Sequence, residues 1–367
     1  MDLDSAIFLH TTLTYAYLIN SNLNNALLNS AILGDANFTD SVVTNADFVF
    51  TTPHGFTKEQ LYSTASYKSK DLNGIDFGEN TLSGWNFSGQ NLRNVIFFST
   101  KMIGANLCDA NLSTTKFYDA TLICADLRGA TGFNGPNANT KNAIWPDGKI
   151  KGLNLYDGNE LVVRDHSIAI TVETAMVLDA NSKLSLIMSD ADWGSKMTAS
   201  AGVVANLAGT LNVESADGYR PREGAEFTII EASAGINGDF SSFTSNITTG
   251  LAGPTAFVRD VSTDPNQYVI VFAGLTGGDA QGDHTVNIND LVILKNSWNE
   301  PNGNNWVNGD FNGDGAVTIN DLVSMRANWR WSLPTGAPEG SIPEPLTVSL
   351  LIAGLTGLLK RRRVSAA

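Results

Sequence analysis

Cysteine is scarce: Cys108 and Cys124 are the only two in 367 residues, and no CxxC pair or Cys/His cluster is present. That argues against a zinc site. Charge is thin as well, at 16% of residues, and positive charge thinner still, with 23 lysines and arginines against 37 aspartates and glutamates. The formal net charge of −14 argues against a partner whose phosphates must be neutralised, so nucleic acid is excluded. Catalytic signatures are missing too: GxSxG, HExxH, GxGxxG and a phosphate-cradling glycine loop do not occur. The four histidines, His10, His54, His166 and His284, fall in unrelated contexts. Glu214, Glu226 and Glu231 are carboxylates that a glycosidase pair would draw on, but each reads better as a solvated strand face. No catalytic residue is assigned, and the chain is not expected to be an enzyme. The opening "MDLDSAIFLH" is acidic where a secretory signal would be basic.

What is present is a repeat. A large apolar residue recurs every five positions: Leu3, Phe8, Leu13, Leu18, Leu23, Leu28, Leu33, Phe38, Val43 and Phe48. After a break it resumes at Leu72, Phe77, Leu82, Phe87, Leu92, Phe97, Met102, Leu107, Leu112, Phe117, Leu122 and Leu127. A small residue, often alanine, stands two positions before many of these, as at Ala26, Ala36 and Ala105. Period five matches neither a helix nor a flat strand. It describes a coil that turns a corner every five residues, so that four sides close one turn and each large residue stacks on its copy in the next turn. Residues 20 apart then share a side. Cys108 and Cys124 are 16 apart, so they lie on different sides and no disulfide is expected.

This pattern resembles the pentapeptide-repeat family, and the resemblance implies a right-handed quadrilateral β-helix over residues 1–50 and 72–131. The break at 51–71 holds Thr57 as a helix N-cap and a short helix from Lys58 to Lys68, expected to project from one corner. Residues 132–150 are read as a cap or linker. From 151 to 274 short strands such as "LVVRD", "SIAITVE", "KLSLIM", "EFTIIEA" and "YVIVFAG" are separated by turn residues. They predict an all-β domain, a sandwich by preference and a continued β-helix as the alternative. The stretch from Gly209 to Phe243 is similar to strand repeats in bacterial surface passenger domains.

Two metal-binding loops follow. "DFNGDGAVTIND" places oxygen ligands at Asp310, Asn312, Asp314, the Ala316 carbonyl, Thr318 and Asp321, with Gly315 allowing the sharp turn. Such a cage suits Ca²⁺, a hard cation that takes six to eight oxygens. The earlier copy "DAQGDHTVNIND" offers Asp279, Gln281, Asp283, the Thr285 carbonyl, Asn287 and Asp290. Gln281 and His284 depart from the pattern, so this loop is expected to bind more weakly. Each loop runs into an apolar helix, "LVILKNSW" or "LVSMRANW". The pair resembles dockerin type I over residues 275–332. That resemblance implies a calcium-folded module that binds a cohesin-like or other cell-surface protein. The candidate contacts are Ile288, Asn289, Ile319 and Asn320.

After a linker at 333–342, "PEPLTVSLLIAGLTGLLKRRR" joins a triplet, Pro343, Glu344 and Pro345, to the apolar run Leu346–Leu359 and four basic residues. As a helix the run spans roughly 21 Å, short of a full bilayer core. The arrangement over 343–367 resembles the PEP-CTERM sorting tail, with transient membrane anchoring and cleavage by an exosortase. An exported chain without a visible signal peptide leads to the expectation that its N-terminus is truncated. The parts together read as an exported or cell-surface structural or adhesive protein that associates with proteins or polysaccharide. An accessory or catalytic polysaccharide-degrading protein is the alternative. A DNA-mimicking inhibitor ranks below both, because the repeat region up to Ala130 is only mildly acidic.

Overall fold

A computed structural model describes residues 1–189, 193–216, 225–245, 256–260, 264–273, 286, 288–296, 298 and 317–327. Its first part is the expected four-sided coil. Parallel bridges join Asp2 to Asn22, Ile7 to Leu27, Thr12 to Ile32 and Tyr17 to Asn37, so each of the four sides meets its own copy one turn later. Corner residues turn through positive φ, from 51° to 60° at Ser5, His10, Tyr15 and Asn20. Asn and Asp tolerate that conformation best, and they fill Asn25, Asp35, Asp40 and Asn45. Each of these first corner N–H groups is tied to the next turn, as in Ser5 to Asn24 O at 2.8 Å.

The large residue of every five points into the lumen, where Leu23, Phe38, Phe77 and Phe97 are fully buried. Phe48, Phe77, Phe97 and Phe117 form one column, with ring centroids 6.1, 5.8 and 5.3 Å apart in successive pairs. Cys108 and Cys124 are buried and unpaired with each other. Burial pushes the Cys124 thiol up to about 11, which keeps it protonated.

The break in the repeat does not project from a corner. Asp47 bridges Asp76, where a regular turn would bring it to Tyr67, so one turn is longer than its neighbours and its extra length is folded into the wall. Helices α1 (Lys58–Ser63) and α2 (Ala65–Lys68) replace the single helix expected, because Thr64 is extended (ψ 151°) between them and caps the second. Phe56 and Leu61 fill the lumen beside Phe38 and Phe48, and Gln60 Nε2 donates to the carbonyls of Leu33 at 2.7 Å and Ala36 at 2.9 Å. These bonds stand in for the missing rung. Thr57 is the N-cap in a capping box with Gln60. Thr57→Ala is expected to cost about 1 kcal/mol, read as a lower urea midpoint with an unchanged m value.

Residues 132–150 are not a linker. Thr121 bridges Asn139 and Asp126 bridges Ile144, so the chain makes a shortened turn and passes directly into a second coil. That coil has three sides and replaces the preferred sandwich. Its strands are β1 (Lys149–Ile150), β2 (Leu153–Leu155), β3 (Glu160–Arg164), β4 (Ile170–Val172), β5 (Met176–Leu178), β6 (Lys183–Met188) and β7 (Met197–Ala199). They continue with β8 (Ala205–Leu207), β9 (Thr210–Ser215), β10 (Ala225–Ala232), β11 (Ile236–Gly238) and β12 (Ser242–Ser245). Every third strand pairs in parallel, giving the ladders β1-β4-β7-β10, β2-β5-β8-β11 and β3-β6-β9-β12.

The physical reason is strand length. β2, β4, β5, β7 and β8 have three residues each, with their first and last side chains buried. Such strands suffice for one side of a coil and are too short to span a sandwich layer. An antiparallel pair, β13 (Ala256–Asp260) and β14 (Gln267–Ala273), closes the last turn against β10. Helices α3 (Ile288–Asn296) and α4 (Ile319–Ala327) make a separate small core of Val286, Leu291, Leu294, Val317, Leu322 and Met325. Among the described residues no helix is long and apolar enough to cross a membrane.

Candidate functional site

α3 and α4 are built alike. In each, the third helical residue is a fully buried carboxylate, Asp290 or Asp321, and the apolar residues behind it face the shared core. The opposite face carries Ile288 and Val292 on α3, and Ile319 and Val323 on α4, all between 49% and 61% exposed. Residues four apart share a helix face, so each helix offers an apolar stripe, and the second copy repeats the first. Asn289 and Asn320 lie exposed beside these stripes. Ile288, Asn289, Ile319 and Asn320, the candidate partner contacts, are therefore exposed. Val292 and Val323 belong with them, and their i+4 spacing from the isoleucines was the signal for it.

Of the expected metal ligands, Asp290, Thr318 and Asp321 lie among the described residues. Asp279, Gln281, Asp283, Thr285, Asn287, Asp310, Asn312, Asp314 and Ala316 lie outside them, as do Pro343, Glu344 and Pro345 and the helix read into the tail. The Thr318 N–H and hydroxyl donate to Asp321 Oδ2 at 2.8 and 3.3 Å, which brings two predicted ligands together. Among the described residues no group of three or more His, Cys, Asp or Glu side chains gathers to hold a metal. Asp290 and Asp321 each offer one buried hard-oxygen donor at equivalent helix positions, the ligand chemistry that calcium takes.

A second concentration of charge sits where the two coils meet. Arg128 is fully buried and forks onto Asp126, with Nη2 to Oδ2 at 2.7 Å and Nε to Oδ1 at 3.0 Å. Its other donors cross into the three-sided coil, Nη1 to Ser195 Oγ at 2.6 Å and Ile168 O at 3.1 Å, and Nη2 to Arg164 O at 2.7 Å. His166 Nε2 lies 3.4 Å from Asp109 Oδ1 across the same junction. Sequence reasoning missed this site. The only signal was Arg128 standing in the column of Ser88 and Cys108, where a charge is out of place.

The carboxylates considered for catalysis are not brought together. Glu214 is on β9 and accepts from Asn212 Nδ2 at 2.7 Å. Glu231 is on β10, in a different sheet, and pairs with Lys196 at 2.5 Å. Glu226, also on β10, is paired through its backbone with Val271.

Comparison with known proteins agrees with two of the modules. The family model for the dockerin type I domain matches residues 277–328. The model for pentapeptide repeats matches eight copies over residues 6–45 and 96–131. Dockerin type I domains bind calcium and typically pair with cohesins. The chain is also similar to the crystal structure of HetL, a pentapeptide repeat protein involved in heterocyst differentiation regulation from the cyanobacterium Nostoc sp.. That match has 29% identity and a TM-score of 0.26, covering 41% of this chain and 68% of the other. No curated protein matches the chain.

Proposed function

We propose that this chain is an exported, non-enzymatic surface protein in which a stiff β-helical rod is coupled to a calcium-folded docking module. The observation that carries the reading is the duplicated stripe, Ile288 and Val292 on one helix and Ile319 and Val323 on the other. An apolar residue left half in water at the same place in both copies is better explained by a partner than by folding. The partner is a cohesin-like domain. The family match over residues 277–328 supports this. Pro343, Glu344 and Pro345 with the basic end at Lys360–Arg363 would act as a PEP-CTERM signal, read by an exosortase after transient anchoring in the membrane. The long β-helical surface would serve adhesion to protein or polysaccharide.

The test is interferometry of the full chain against a panel of cohesin domains. Binding is expected in calcium and is expected to vanish in EGTA. Val323→Asp, which leaves the module's core intact, should weaken binding by about tenfold or more. Absence of calcium-dependent binding across the panel, or binding indifferent to both stripes, would remove the cohesin-like partner from this reading.

A further inference from the structure

The junction of the two coils encloses a cleft of about 420 Å³. One wall is the outer face of β3, β6 and β9, with Glu160, Arg164, Ser185 and Glu214. The other wall is a corner of the four-sided coil that carries Gly84 and Gly104.

Arg164 is the first anomaly. Its guanidinium makes no hydrogen bond or ion pair among the described residues, and Nη1 is sealed from solvent with no partner. Asp126, whose charge favours it, is already forked by Arg128, so the junction holds two guanidinium groups for one buried carboxylate. Burial holds the Arg164 pKa below the usual arginine range, the expected effect of a poorly compensated cation. Such a group is costly unless something anionic completes it.

The floor is the second observation. Ser185 Oγ donates to Glu160 Oε1, and Asn212 Nδ2 donates to Ser185 Oγ at 3.1 Å and to Glu214 Oε1 at 2.7 Å. This chain of bonds, with Lys183 Nζ paired to Glu160 Oε1 at 3.1 Å, fixes two carboxylates on the same ladder of strands, each with its other oxygen left to accept from a ligand's hydroxyls.

Glycine supplies the third. Gly84 and Gly104 occupy the same corner one turn apart, at φ 71° and 65°. Other corners take that conformation with Asn94, Ser99 or Asp109, so the backbone does not require glycine here. A Cβ on either glycine would meet no atom within 4 Å, so it would stand in open space at the cleft. The missing side chains keep the cleft open.

We propose that this cleft binds an acidic saccharide, with a uronate carboxylate on Arg164 and ring hydroxyls donating to Glu160 and Glu214. A neutral glycan would leave Arg164 unpaired. A polyphosphate would bring its charge against both glutamates. The proposal rests on the polysaccharide association suggested above and gives it a site separate from the calcium module.

The test is titration calorimetry of the full, calcium-loaded chain with trisaccharides of galacturonate and of mannuronate, with maltotriose, and with a tri-aspartate peptide. At least one uronate trisaccharide is expected to bind, and the other two probes are not. Arg164→Gln should weaken binding by about tenfold or more. Gly104→Asn should do the same by filling the cleft while keeping the melting curve, since asparagine holds the equivalent conformation at Asn94. EGTA should leave the saccharide affinity unchanged, whereas it abolishes cohesin binding, so the two readings fail separately. No uronate binding, equal binding of maltotriose or the peptide, indifference to both substitutions, or loss of binding in EGTA would each overturn the proposal.

Discussion

Arg128→Ala is expected to destabilise the β-helical body by about 3–5 kcal/mol, the cost of leaving a buried charge without its partner. The partner is Asp126, whose side chain, like that of Arg128, has no exposed surface. All five N–H donors of the guanidinium are engaged, onto Asp126 and onto Ser195 Oγ and the carbonyls of Ile168 and Arg164. Three of these acceptors belong to the second coil and two to the first, so the side chain holds the coils to each other. Loss of it should do more than lower one melting point: calorimetry should resolve two transitions for the coils, where in the parent the coils melt in one. Arg128→Lys is expected to recover little, because an ammonium on a flexible stem cannot reach acceptors on three segments at once. A single, unshifted transition of the coils in Arg128→Ala would refute the role assigned to it.

Removing calcium is expected to unfold the two-helix module and leave both coils intact. The matched module spans only residues 277–328, and its described core is six buried side chains with Ile293 and Trp298 packed against them. A core that small carries little stability by itself, and a bound metal is a common supplement. At free calcium a hundredfold above its Kd, binding to the folded form alone adds about 2.7 kcal/mol per site. Without the ion, Asp290 and Asp321 are carboxylates buried at the heads of their helices. Asp321→Ala should mimic chelation at the second loop. The measurement is a calorimetric scan with and without EGTA, read beside tryptophan emission from Trp298. The low-temperature transition should disappear on chelation while the transition of the coils stays where it was. A scan that does not respond to EGTA would contradict the calcium reading.

The four-sided coil was legible because its turn has constant length. A five-residue side that always buries its central residue leaves a strict period, and Phe77, Phe97 and Phe117 stack as that period requires. The three-sided coil leaves no such trace. Its turns lengthen along the chain: Leu153 pairs with Met176, Met176 with Ala205, and Ala205 with Ile236, each step longer than the one before. With no fixed repeat, the longer strands β3, β6 and β9 stood out, while short strands such as β5 and β8 did not. The surviving set looked like the longer elements of a sandwich. The wall segment failed to read for a related reason. Phe56 and Leu61 are ordinary apolar residues in and beside a helical stretch, and only the lumen they complete makes them core.

Local sequence therefore determined what each five-residue side does and which helix positions stay at the surface. These follow from side-chain size and helical periodicity, both of which act within one turn of chain. Only the tertiary structure decided that the second β region continues the coil, that Arg128 binds the two coils, and that Arg164, Glu160 and Glu214 meet Gly84 and Gly104 across a cleft. Those contacts join residues far apart in the chain, Gly84 and Glu214 being the most distant. Pairings over that range depend on the length of every intervening turn, which no single segment encodes.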